Sequence, residues 1–440
     1  MTVVSISGIR GIIGQDLNAE DYVRIGRAFG ELIGGKRCVV GRDTRSTGKM
    51  ASDAAVSGLL GAGCIVFDLG VTSTPAIFRE VRKQDLEGGF IVSASHNPPE
   101  WNGVKFVLKG GRGIFEDELN QLLKIAETPK KGMKVGQVFP VEPRYPSDIV
   151  EYVGLGTCSG LKIALDLGGG AGSLFAPKVF RELGCRVLTV NGSAGVFTRD
   201  MDPTRDPLKA LSDLVMSNGV DFAVAYDCDA DRVVFMDSDG LKLPADYTLL
   251  LHLKNLADTG EMEDVVASID TSSAVEQLVE EAGHRVVTSK VGEANVVRRM
   301  LEEKIKIGGE GSSGGLILSD FNLCRDGLLA SALAAKAVHQ ANGLKSIIEG
   351  LPKYYSLREK IPCSRENALQ VVKTLSEEEP GEKETIDGVK LRKPGRAWIL
   401  VRPSGTEDIV RISVEARSEA EAADLMKQYH KKIVRILQEI

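Results

Sequence analysis

The sequence predicts an α/β protein. Three similar α/β domains with mixed, mostly parallel sheets precede a smaller C-terminal α+β domain, around a central cleft. Three observations predict it. A unit of strand, helix, strand, helix, strand occurs three times, and such alternation builds parallel, helix-covered sheets. Glycine is abundant at 48 residues while aromatics make up only 5%, which suits tight βα turns better than an all-β sandwich. Finally, 440 residues at roughly 150 per domain allow about three domains, and the stretch beyond residue 354 breaks the repeat.

Each repeat opens on an apolar strand ending in aspartate: CVVGRD to Asp43, LKIALD to Asp166, VVASID to Asp270. A small or hydroxylated turn and an amphipathic helix follow. The helix stops at a glycine before the second strand, in GAGCIVFDLG, LGCRVLTVNG and AGHRVVTSKVG; glycine enters the left-handed conformation that ends a helix without steric cost. After another helix comes the third strand: GGFIVSAS, DFAVAYD or KIKIGGE. The C-terminal region reads as a strand (REKIPC), a helix (NALQVVKTL), an acidic loop, a hairpin through AWILVRPSGTED and IVRISVEA, and a long final helix. Ser418 is its expected N-cap, with Glu421 three residues on as in a capping box. Proline-bearing stretches near 143–147, 243–247 and 352–357 read as linkers. The expected domains are therefore 1–145, 146–245, 246–354 and 355–440.

Composition narrows the function. Apolar residues at 43% and charged residues at 26% describe a globular chain, not a disordered one. A net charge of −6 gives no support to nucleic-acid binding through a basic surface. No apolar run reaches membrane-spanning length, and MTVVSISGIRG lacks the basic-then-apolar pattern of a signal peptide. The seven cysteines contain no CxxC pair, which argues against a zinc site or a disulfide framework. A cytoplasmic, reduced protein is expected.

Ligands of open α/β sheets bind beyond the carboxyl ends of strands, and there the three repeats carry their least ordinary residues. Asp227, Asp229 and Asp231 alternate with small residues, so in an extended segment they project on one side. Three such carboxylates repel unless a cation lies between them, and oxygen donors favour Mg²⁺ or Ca²⁺. An EF-hand is excluded, because Arg232 and Ser238 stand where it needs Gly and Glu; the competing reading is a solvated acidic loop.

Ser95 precedes His96-Asn97-Pro98 at a strand end. A helix cap is opposed by Pro98, Pro99 and Gly103, and a Ser–His hydrolase by the absence of a G-x-S-x-G elbow. Phosphoryl transfer, with the Asp triplet holding a metal, is the reading the residues favour. Arg402-Pro403-Ser404-Gly405-Thr406 joins a forked cation, two hydroxyls and a flexible backbone amide, as a phosphate anchor requires, with Arg411 nine residues on; a plain β-turn is the alternative. Glu310 and Ser312 lie in a Gly-rich loop without the lysine of a P-loop, suited to sugar hydroxyls or simply a surface turn. The glycines after Asp166 do not fit a dinucleotide loop and are expected to make a tight turn lining the cleft. Arg10, between glycines, is compatible with a phosphate contact or a surface pair.

Taken together, SASHNP, DCDADR, GEGSSGG and RPSGTED, in this order, resemble the α-D-phosphohexomutase superfamily of phosphoglucomutases, phosphomannomutases and phosphoglucosamine mutases. The resemblance covers nearly the whole chain, from Ser7 to Arg411. It implies four domains around a deep cleft and a phosphorylated Ser95. Asp227, Asp229 and Asp231, with the Ser95 phosphate, would hold one Mg²⁺ per chain. Glu310 and Ser312 would grip sugar hydroxyls, and Arg402, Ser404, Gly405 and Thr406, with Arg411, the non-reacting phosphate. Arg10, His96 and Lys105 match positions near the reacting oxygen, Arg232 follows the metal loop, and Lys105 is the preferred proton-transfer group, on the argument that nearby cations favour its neutral form. The implied reaction passes the phosphoryl group from Ser95 to a hexose phosphate and back through a bisphosphorylated sugar. Lys290-Val291-Gly292-Glu293 looks like the V-G-D/E of phosphoglucosamine mutases, where an acid pairs with a substrate ammonium; alternatively Glu293 only begins a helix. SSGG departs from the bacterial GEQSGH pattern, and SISGIRG lacks a preceding Phe-Gly-Thr. Phosphoglucosamine mutase is the expected activity, ahead of a glucose or mannose phosphomutase, a phosphosugar phosphatase or a silent sugar-phosphate binder. The expected partner is a small sugar phosphate, with neither nucleic acid nor membrane.

Overall fold

The computed structural model describes residues 2–128, 135–405 and 407–440. Its three repeats share one sheet plan. In the first, Arg37–Arg42 lies between Ile65–Val71 and Gly88–Val92, all parallel, and Trp101–Leu108 returns antiparallel beside the last. In the second, Lys162–Asp166 lies between Arg186–Val190 and Phe222–Tyr226, with Val233–Met236 antiparallel. In the third, Val265–Ser268 lies between Val286–Ser289 and Ile307–Glu310, with Gly315–Leu318 antiparallel. The glycines expected to stop the intervening helices, Gly63, Gly184 and Gly283, have φ of 86°, 97° and 84°, the region that only glycine enters freely.

The first sheet is extended at both ends. A hairpin, Val3–Ser5 with Gly8–Ile12, joins Trp101–Leu108, so that Arg10 lies opposite Gly103; Gln137–Pro140 pairs parallel with Ile65–Val71. The C-terminal sheet is fully antiparallel, in the order Tyr355–Pro362, Ile409–Ala416, Trp398–Pro403, Val389–Arg392, Lys383–Glu384. Helices Arg365–Glu378 and Glu419–Glu439 cover it. The Ser418 hydroxyl accepts the Glu421 N–H at 3.2 Å, as a cap should.

Two features depart from the sequence reading. The linker expected at 143–147 runs into a helix, Tyr145–Val153, with Pro146 in its first turn, where a missing N–H costs nothing. That helix belongs to a single apolar core shared by the second and third repeats, in which Tyr145, Phe180, Phe222, Leu249 and Leu328 are all buried. Tyr226 and Ser331 hydrogen-bond across it at 2.6 Å. These two repeats are therefore fixed to one another as firmly as each is internally. Among the described residues no helix is long and apolar enough to cross a membrane.

Candidate active site

The carboxyl ends of the three repeats and the C-terminal sheet enclose one cleft of about 1470 Å³. Arg10, His96, Arg232, Glu293, Glu310, Ser312, Arg402 and Arg411 line it. Ser95 and the Asp triplet lie behind its wall, each no more than 1% exposed.

Ser95 sits at φ 52°, a conformation unusual for a residue with a side chain. What holds it there is a layer that the sequence reading missed. Arg45, 1% exposed, donates to the carbonyls of Ser95 and Asn97 at 2.7 Å, Pro98 at 2.5 Å and Trp101 at 2.9 Å. Its Nε is paired with buried Asp43 at 3.1 Å. Ser93 Oγ donates to the same Asp43 and accepts the Ser95 N–H at 2.9 Å. Ser95 Oγ then donates to Asp227 Oδ2 at 3.1 Å.

The aspartates converge differently from the expectation. The segment is a turn, not an extended strand, with Ala230 at φ 57°. The turn brings one oxygen of each carboxylate within 4.8 Å of the others, closer than alternation along a strand allows. Burial and its neighbours Asp231 and Asp229 push the Asp227 carboxyl well above the usual range. Burial also opposes ionisation of Asp229 and Asp231, but Lys105 outweighs it at the first and Arg325 with Lys105 at the second, so both stay charged. Asp229 Oδ1 and Asp231 Oδ1 are buried without a hydrogen-bond partner. Buried all-oxygen donors, two of them without a hydrogen bond, with one like-charge-strained member fit a hard divalent cation.

Lys105 requires a correction. Its Nζ lies 2.6 Å from Asp229 Oδ2 and 3.1 Å from Asp231 Oδ2. Burial works against the charge, but the two carboxylates outweigh it and raise the ammonium above the usual lysine range. The carboxylates, not neighbouring cations, control this lysine, and its neutral form is disfavoured. His96 behaves in the opposite way: Arg232, then burial and Arg10, hold it neutral, and its Nδ1 is buried without a partner. Arg10 is not a surface pair. Burial lowers its guanidinium to about 10, and Nη1 donates to Asn97 Oδ1 at 2.9 Å. Arg232 Nη1 contacts Asp202 at 3.2 Å, and its backbone N–H donates to Asp227.

On the opposite wall, Glu310 Oε1 accepts the Gly292 N–H at 2.6 Å and Oε2 the Arg325 guanidinium at 3.0 Å. Ser312 Oγ donates to Asp270 at 2.7 Å. Glu293 is the first residue of helix Glu293–Glu303, as its simpler reading held. It also accepts the Arg325 N–H at 2.8 Å, and burial and Asp231 raise its pKa. Arg402 and Arg411 are direct cross-strand partners, which puts both guanidinium groups on one face. Arg402 Nη2 pairs with Asp387 at 3.0 Å; Arg411 Nη2 reaches Ser404 Oγ at 3.3 Å and Glu407 at 2.5 Å. Gly405 is exposed, and Thr406 lies outside the described residues.

The glycine turn after Asp166 does not line the cleft. Asp166 is clamped by Arg199 at 3.0 Å, and Thr44 Oγ donates to the Gly169 carbonyl at 2.7 Å. A Cβ at Gly170 would meet the Cys228 carbonyl at 2.5 Å. The turn supports the aspartate loop from behind. Arg325, the second residue missed, signals itself only as a charged Arg-Asp-Gly ahead of an alanine-rich helix.

Comparison with known proteins bears on the same four regions. Residues 2–133, 143–240 and 244–355 match the phosphoglucomutase/phosphomannomutase alpha/beta/alpha domains I, II and III, and residues 361–432 the corresponding C-terminal domain. A probable phosphoglucosamine mutase of Pyrococcus abyssi is 33% identical over 97% of this chain and 96% of its own. A phosphoglucomutase/phosphomannomutase of Thermococcus kodakarensis is 36% identical over 96% of each. The crystal structure of a phosphoglucomutase/phosphomannomutase family protein from Burkholderia thailandensis superposes with a TM-score of 0.87 at 24% identity, over 99% of this chain and 98% of that one.

Proposed function

The chain belongs to the phosphoglucomutase/phosphomannomutase family of α-D-phosphohexomutases and is an isomerase, an intramolecular phosphotransferase, and we propose that it interconverts glucosamine 6-phosphate and glucosamine 1-phosphate. The observation that carries this reading is the convergence of four chemistries on one cleft, the first two directly behind its wall. These are a buried serine hydroxyl, a cation-ready carboxylate cluster, an acidic wall at Glu310 and Glu293, and a distant pair of guanidinium groups. Several relatives across nearly the full length are named as probable phosphoglucosamine mutases, which supports the amino sugar over its neutral counterparts.

Ser95 carries the phosphoryl group in the resting state of the cycle. Arg402 and Arg411, with the Ser404 hydroxyl, hold the sugar's own phosphate at the far end, and Glu310 and Ser312 take sugar hydroxyls. A hydroxyl of the bound sugar attacks phosphorus; the Ser95 Oγ–P bond breaks as the sugar O–P bond forms. The proton of the attacking hydroxyl ends on the Ser95 Oγ that leaves phosphorus, and neutral His96, with its unpartnered Nδ1, can accept a hydrogen bond from that hydroxyl. Arg10, Arg232 and Lys105 surround the transferring group with fixed positive charge, which stabilises its spread negative charge without reorganisation. The bisphosphorylated sugar turns end for end within the cleft, its new phosphate settles on Arg402, and the opposite phosphate returns to Ser95. One Mg²⁺ held by Asp227, Asp229, Asp231 and an oxygen on Ser95 would supply further charge neutralisation.

The test is a parallel assay with glucosamine, glucose and mannose phosphates, on parent and Ser95→Ala proteins. A preference for the amino sugar, and loss of most turnover with binding retained in the variant, is expected. Equal rates on all three sugars would remove the substrate assignment, near-normal turnover by Ser95→Ala the nucleophile, and stoichiometric release of free phosphate the mutase itself.

A further inference from the structure

One guanidinium joins the cation site to the sugar-reading wall. Arg325 is 9% exposed, yet it faces the cleft. Its Nη2 donates to Asp231 Oδ2 at 3.0 Å, in the aspartate turn of the second repeat. Its Nη1 donates to Glu310 Oε2 at 3.0 Å and Ser313 Oγ at 3.2 Å, in the sugar loop of the third. Glu293 Oε2 lies 3.4 Å from its Nε. Three carboxylates on three elements thus share one cation, and a planar guanidinium holds them in a fixed mutual geometry.

The atoms not used are as informative. Arg325 and Lys105 occupy only Oδ2 of Asp231, while Oδ1 is buried without a hydrogen bond, 3.9 Å from Arg232 Nε. A cation taking Oδ1 leaves the Arg325 contact in place. The backbone is shaped around this arginine: a Cβ at Gly315 would meet Arg325 Cδ at 2.3 Å and Cγ at 2.7 Å. The glycine in SSGG is there to let the arginine stem pass.

We infer that Arg325 is a positioning residue that couples cation binding at Asp231 to sugar recognition at Glu310. It fixes the rotamer of an aspartate whose other oxygen meets the cation, as contacts behind a metal ligand do, and it fixes Glu310 with the same rigid fork. A ligand that fixes one end of the fork leaves less to order at the other, so the coupling is favourable, and because linkage is reciprocal it is equal in both directions. The inference rests on the functional reading above, which supplies the two ligands.

The test is calorimetric titration of the dephosphorylated protein with Mg²⁺, with and without saturating glucosamine 6-phosphate or glucose 6-phosphate. In the parent, a sugar phosphate should raise Mg²⁺ affinity at least about fivefold, the lower end of ordinary coupling. Arg325→Lys keeps the charge but offers one point in place of a fork. It should weaken Mg²⁺ binding about tenfold and bring the coupling close to nothing. Should that variant fail to fold by circular dichroism, Gly315→Ala decides, since it displaces the arginine stem while keeping every charge; the same loss of coupling is expected. A folded variant with parental coupling, or a parent with none, overturns the inference. A parent that binds neither Mg²⁺ nor a sugar phosphate instead overturns the functional reading, and this inference with it.

Discussion

Ser95 holds its left-handed backbone with its carbonyl pinned by Arg45 and its N–H by Ser93. Arg45→Met leaves buried Asp43 unpaired and four loop carbonyls without their donor. It should lower stability by roughly 3–5 kcal/mol in urea denaturation, the usual cost of breaking a buried pair, and reduce turnover with it. Asp246 offers a test with a sign. Burial raises its carboxyl to about 6, with Arg358 partly opposing, and Oδ1 accepts the Ser272 N–H at 2.9 Å. The folded protein therefore binds a proton more tightly than the unfolded chain. This contribution is complete below pH ~4 and is lost as pH rises through about 6. Asp246→Asn should raise the melting temperature at pH 8 relative to the parent, by up to about 3 kcal/mol equivalent, and should change little at pH 4. Thermal scans across that range decide it. The meeting of Ser95 with the aspartates was legible in the sequence because few residue types can carry a phosphoryl group or coordinate a cation, and both stand at equivalent strand ends. Arg45 and Arg325 were not: an arginine in a loop reads as a solvated charge, and only the closing of distant elements over it shows otherwise. Lys105 failed for the same reason, since its partners are 124 and 126 residues away.

The aspartate turn is the element on which the proposed chemistry depends, and it is strained by its own charge. With no cation, Asp227 is pushed toward its neutral form by burial and by its two neighbours. Magnesium binding must therefore displace a proton, so its apparent affinity should rise with pH. At a concentration about 100 times the dissociation constant, Mg²⁺ should add ~2.7 kcal/mol of stability, which chelation removes; differential scanning calorimetry with and without chelator measures both effects. A melting temperature indifferent to the metal would count against the site. The repeat itself was readable because helix-stopping glycines and strand-ending aspartates recur at matching places, and local backbone preference is a property of short segments. The turn after Asp166 was misplaced because its glycines serve close packing against Cys228, which depends on what lies opposite and leaves no local mark.

In the whole molecule, contacts between repeats join the parts that the cleft brings together. Thr74 Oγ donates to Asp229 Oδ2 at 2.5 Å, so the first repeat steadies the cation site of the second. Arg79 reaches the Phe321 carbonyl of the third repeat at 2.7 Å and lies over the ring of the same residue. The C-terminal sheet is fastened by Glu415, 1% exposed, which accepts from Ser273 N–H at 2.7 Å, Trp398 Nε1 at 2.9 Å and Ser356 Oγ at 3.0 Å. Glu415→Ala orphans two buried donors, Ser273 N–H and Trp398 Nε1, since Ser356 is exposed to water. At about 1–3 kcal/mol each, it should loosen that sheet from the third repeat, seen as faster proteolytic cleavage near residues 352–357 and a raised KM with a smaller change in kcat. The burial of Ser95 has a final consequence. Its hydroxyl is 1% exposed behind the cleft wall, so no protein-sized kinase or phosphatase can reach it. If Ser95 carries the phosphate of the proposed cycle, only a molecule small enough to enter the cleft can add or remove it. On the proposed cycle, a copy stripped of that phosphate would recover it from a bisphosphorylated sugar.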